Sequence, residues 1–145
     1  MTMHRRPVGR SRLLAAIGAL IMLGGCFLPW YTFGGTDLPA LSGNAFESMG
    51  ILVFAAAIAT LALVTLPYAS ERPVAADRWS SYAIIAGLGW LGFAYRVIDL
   101  AASRAFQFAE PAEVVTRNPG LWLVGIGLVI LARATYEMLQ EPRLR

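Results

Sequence analysis

Four long apolar runs separated by shorter polar stretches make up most of the chain: Leu13 to Trp30, Met49 to Leu66, Trp79 to Leu100, and Pro119 to about Met138. At ~1.5 Å rise per residue each run, wound as a helix, spans most or all of a ~30 Å hydrocarbon layer. The pattern predicts an all-α membrane protein with helices over about residues 13–31, 47–67, 79–100 and 119–138. The connection Tyr68 to Arg78 is short, so the second and third helices should be antiparallel neighbours. Residues 1–12 form a basic leader, 13–139 a single transmembrane domain in an antiparallel bundle, and 140–145 a tail. No stretch is left over for a sizeable soluble domain.

Trp79 to Leu100 is the segment that orders the rest. Gly89, Gly92, Arg96, Asp99 and Ser103 follow at spacings of three and four, and so share one helical face. Small residues let helices approach closely, which turns this face toward the bundle. Gly18, Ala55, Ala59, Gly89, Gly92, Gly125 and Gly127 are the expected small residues of the core. Trp30, Tyr31, Trp79, Trp122 and Tyr136 fall where amphipathic rings mark the membrane boundaries.

The connections carry their own signals. Tyr31 to about Ala45 is rich in Gly, Pro, Ser and Thr and is expected to be irregular. Asn44 with Glu47 three residues later has the form of a capping box for the second helix, which Pro67 should end. Helix three is expected to run on to about Phe108, before Pro111, leaving an interfacial connector. Asn118 followed by Pro119 is a helix start. A faint repeat relates Ala15, Leu20, Leu23 and Gly24 to Ala83, Leu88, Leu91 and Gly92, and would make the two helical hairpins parallel copies.

Composition agrees with the pattern: 57% of the residues are hydrophobic and 14% charged. All 12 basic residues are arginine. Nine of these arginines flank one side of the spans and two, Arg104 and Arg117, lie in the loop between the third and fourth. The positive-inside rule then puts both termini in the cytoplasm of a bacterial plasma membrane. With the basic residues accounted for by topology, no nucleic-acid partner is expected; membrane lipids, a partner membrane protein or further copies of the chain are.

The chemistry available is sparse. One histidine, His4, and one cysteine, Cys26, exclude a disulfide within the chain, a cysteine-based zinc site and a histidine-dependent triad. No catalytic residue, metal site or cofactor is assigned. The strongest candidate is Arg96 with Asp99, an ion pair at the edge of a span whose two readings are structural and functional. Asp37, Glu47, Glu110 and Glu113 join Asp99 as outer acidic residues that could contact a ligand or a hard cation. Arg133 is placed to pair with Glu137 one turn on. Leu23-Gly24-Gly25-Cys26 has the form of a lipoprotein signal with lipidation at Cys26, but the apolar sequence continues through Phe27, Leu28 and Trp30, which favours an uncut first helix.

A basic leader, a first span ending Leu28-Pro29-Trp30, a loop of small residues and a last span opening Gly120-Leu121-Trp122-Leu123 resemble the small uncharacterised four-helix membrane proteins of actinobacteria and their relatives. That resemblance implies the fold and no activity. The expected function is a non-enzymatic accessory or scaffold subunit. The alternatives are a small transporter or channel with Arg96 and Asp99 at its outer mouth, and a lipid-binding or lipid-modifying protein.

Overall fold

The computed structural model describes residues 9–35, 37–70, 75–106 and 110–141. The leader arginines Arg5 and Arg6, and Arg72, Arg143 and Arg145, lie outside these residues, as does His4. Four helices cross the molecule: α1 (Arg10–Phe27), α2 (Ile51–Ala69), α3 (Trp79–Ala102) and α5 (Pro119–Gln140). Strands β1 (Tyr31–Phe33) and β2 (Leu41–Gly43) sit between α1 and α2, and a short helix α4 (Glu113–Arg117) between α3 and α5. With a 3-10 turn (Ser48–Gly50) leading into α2, four helices are long and apolar enough to cross a membrane. The fold is a four-helix transmembrane bundle. One end holds the start of α1 and the end of α5, and is called here the terminal end; the other holds the β-hairpin.

The helices form a ring in the order α1, α2, α3, α5, with α1 against α5 the most extensive interface and α3 against α5 the sparsest of the four. Backbone approach explains the first. A Cβ on Gly18 would come within 2.9 Å of Gly127 O, and one on Gly127 within 2.7 Å of Gly18 O. Seven residues along, Gly25 and Gly120 face each other in the same reciprocal way. Two antiparallel helices with glycines at matching heptad spacing thus meet backbone to backbone, where dispersion contacts are densest. The unequal interfaces also mean that the two helical hairpins do not pack as equivalent copies, since α1 meets α5 far more extensively than α3 meets α2.

Several sequence expectations are corrected. The segment after α1 is an ordered antiparallel hairpin, pairing Tyr31 with Gly43, Thr32 with Ser42 and Phe33 with Leu41. Trp30 does not mark a headgroup boundary: it is fully buried, its indole N–H donates to Gly25 O at 3.0 Å, and its ring meets Phe93 edge-on. The backbone N–H of Trp30 donates to Gly43 O, and that of Gly120 to Pro29 O, so the root of the hairpin is tied to the start of α5. On α2 the buried face is Val53, Ala56, Ala57, Thr60 and Val64. Ala55 is exposed and Ala59 half-buried, because the helix is rotated from the small-residue register. Gly125 is likewise only half-buried, whereas Gly18, Gly89, Gly92 and Gly127 do lie in the core. Pro67 sits inside α2, which ends two residues later. Helix α3 ends at Ala102, where Arg104 takes a positive φ of 58°.

Candidate functional site

At the hairpin end three polar side chains converge on Arg96: Asp99 of α3 itself, Tyr31 of β1 and Glu47 of the loop after β2. The Arg96 face of α3 is turned inward by Gly89 and Gly92; a Cβ on Gly92 would lie 2.7 Å from Leu52 Cβ and 2.9 Å from Met49 O. One turn on, the Arg96 side chain is 8% exposed. Its Nη1 donates to Asp99 Oδ2 at 2.6 Å and its Nη2 to Glu47 Oε2 at 3.3 Å. The guanidinium also lies over the Tyr31 ring, 5.6 Å from its centroid, and Tyr31 Oη donates to the same Glu47 oxygen at 2.6 Å.

Glu47 is therefore not a helix cap. The Asn44 carboxamide instead accepts from Phe46 N–H in a local turn, and the first turn of α2 has no side-chain cap. The buried cation drew the carboxylate away, since an ion taken out of water needs an opposite charge far more than a helix end needs one more acceptor. Gly43 belongs to this arrangement as well. Any Cβ there would collide with Glu47 Oε2 and Tyr31 Oη, so a glycine leaves room for their hydrogen bond. The hydrogen bond to Glu47 pushes the Tyr31 phenol above its ordinary pKa of 10.0.

The other acidic residues do not join. Glu113 pairs with Arg117 at 3.5 Å, Arg117 also reaching Gly34 O, while Asp37 and Glu110 stand exposed. Among the described residues no group of three or more histidine, cysteine or acidic side chains is placed to hold a metal ion. Cys26 is fully buried in the core. Arg133 pairs with Glu137 at 3.1 Å on the bundle surface. Asn118 occupies the N-cap position of α5 without making a side-chain cap bond, and its buried amide has no hydrogen-bond partner among the described residues.

A second polar cluster, at the terminal end, has no signal in the sequence. Arg12 of α1 pairs with Asp77 of the α2–α3 connection, 65 positions away, and both side chains are largely buried. The wholly buried Tyr82 faces this pair, and its hydroxyl, Arg12 Nε and Asp77 Oδ1 make no hydrogen bond among the described residues. Nearby, Ser11 Oγ donates to Glu141 and ties the start of α1 to the residue that follows α5.

Between the clusters the interior is apolar. Gly89 faces Leu128, Ala56 and Met22, and the one buried hydroxyl at this level, Thr60, donates to Ala56 O within its own helix. Fold and site together define a multi-pass membrane bundle fastened by an ion network at each end. Comparison with known protein families, curated proteins and solved structures returned no match.

Proposed function

We propose that the protein is a non-enzymatic scaffold or accessory subunit of a bacterial plasma membrane, working by packing against a partner membrane protein or further copies of itself. The observation that carries this reading is the engagement of Arg96. The cation at the edge of the membrane-spanning region is held by Asp99 on its own helix and by Glu47 on the loop after the β-hairpin, so its charge closes the bundle. A transport site needs charged groups that a passing solute can reach, and the bundle interior between the two ion networks is filled by apolar and small side chains. Arg10, Arg12, Arg78 and Arg133 belong to the terminal end, which favours that end as the cytoplasmic one.

Native mass spectrometry of the tagged protein, extracted gently from its own membranes, tests the reading. A stoichiometric second polypeptide or a defined homo-oligomer is the expected result. Movement of a solute by the purified chain in liposomes, lost in Asp99→Asn while the fold survives, would overturn it in favour of a transporter with Arg96 and Asp99 at its outer mouth.

A further inference from the structure

The sparse α3–α5 interface leaves an open groove of about 430 Å³ in the membrane-spanning surface. Trp90 and Phe93 of α3 form one wall, and Trp122, Ile126 and Val129 of α5 the other, with Gly125 between them. Its lining is apolar, so an occupant must be apolar along this length. The groove follows α5 for about two turns, ~11 Å, from the hairpin end toward mid-membrane.

Two observations identify that occupant. A partner helix is seated by paired small residues four apart, but the neighbours of Gly125 at that spacing are Leu121 and Val129, so the notch is one residue wide. That shape suits a slender chain. The second observation is charge. The connector from Ala102 to Asn118 joins the two helices that wall the groove, and α4 is fixed beside its mouth by the indole N–H of Trp122 donating to Val114 O at 3.2 Å. The connector carries Arg104, Glu110, Glu113 and Arg117, which sum to zero, and Glu113 and Arg117 neutralise each other. Arg104 and Glu110 are exposed and make no ion pair among the described residues. Both stand on the connector that leads from the hairpin end of α3 to that of α5, one cationic and one anionic.

We propose that the α3–α5 groove seats one acyl chain of a zwitterionic phospholipid from the leaflet at the hairpin end, with the lipid phosphate at Arg104 and its ammonium at Glu110. Inside a bilayer an apolar groove provides no hydrophobic driving force over the surrounding lipid, so selection comes from fit to the groove and from the headgroup.

The test is native mass spectrometry of the full chain after equilibration in nanodiscs made of equal parts phosphatidylethanolamine and phosphatidylglycerol with matched chains. The wild type should retain phosphatidylethanolamine in preference to phosphatidylglycerol. Gly125→Leu fills the groove, and since a Cβ at Gly125 meets only Phe93 at an ordinary 3.5 Å, the bundle should fold. Retention should then fall roughly tenfold or more. Val129→Trp blocks the same groove one turn further along α5 and serves if Gly125→Leu is unstable. Arg104→Gln combined with Glu110→Gln should keep the adduct and lose the headgroup preference. Equal retention of both lipids by the wild type, or an adduct indifferent to both groove-filling variants, would overturn the proposal. So would a dimer that Gly125→Leu disperses, which would give the groove to a second copy of the chain.

Discussion

Arg96 and Glu47 are 49 positions apart in the chain, and the guanidinium Nη2 of one lies 3.3 Å from Oε2 of the other. This contact locks the loop after the β-hairpin onto α3, and the Arg96–Asp99 pair alone would not do so.

Removing either carboxylate leaves Arg96 with the other. Because Glu47 and Asp99 are each nearly half exposed, Glu47→Gln and Asp99→Asn should each cost about 1 kcal/mol or less. Their combination strands a buried cation and should cost about 3–5 kcal/mol, well above the sum. Arg96→Met should be milder than the double variant, as an apolar side chain needs no partner there. Reversible unfolding in mixed micelles measures all four.

Alkaline pH should loosen the hairpin. The Tyr31 phenol is held above its ordinary pKa of 10.0, chiefly by donating to Glu47, so the neutral form is favoured in the folded protein. The stability it contributes is present in full below about pH 10 and is lost as pH rises through the raised value. Tyr31→Phe should flatten this part of the stability profile, followed by hydrogen exchange of the hairpin amides.

The glycines of α1 should divide sharply. At Gly18 and Gly25 an added methyl meets the backbone of α5, and Gly18→Ala should destabilise by about 1–3 kcal/mol. Nothing lies within 4 Å of a Cβ on Gly24. Gly24→Ala should be neutral or stabilising by up to about 1 kcal/mol, from helix propensity alone. Thermal unfolding of the two variants side by side checks the pair.

Tyr82→Phe reports on the terminal-end cluster. The hydroxyl is buried without a hydrogen-bond partner among the described residues, so its removal should leave stability unchanged or raise it by about 1 kcal/mol. Asp77→Ala should instead cost about 3 kcal/mol, because Arg12 is left largely buried and unpaired. Denaturant titration of each variant gives both numbers.

Cys26, wholly buried, should resist a membrane-permeant maleimide in the folded protein and react on unfolding. Intact mass with and without the reagent measures the protection. It also reads whether the first helix is retained ahead of this residue.

The terminal-end ion pair and the hairpin show where sequence reasoning stopped. Arg96 and Asp99 were legible because they lie one turn apart on a single helix, and helical spacing is a local property. For Glu47 the nearest pattern in sequence is a cap three residues from Asn44, while the group that claims it, Arg96, belongs to another helix. Tyr31 looked like a boundary aromatic, and Asp77 like one charge among several in a balanced connector.

The chain's own pattern determined four crossing helices, their alternation and the inward face of α3, because bilayer thickness and helical periodicity act on each segment independently. Tertiary structure alone decided how α1, α2 and α5 are rotated about their axes. That rotation turned Ala55 outward, brought Gly18 to Gly127 and left the α3–α5 groove open. Rotation is set by how all four surfaces interlock at once, and in an apolar chain where nearly every face tolerates lipid, no single segment carries that information.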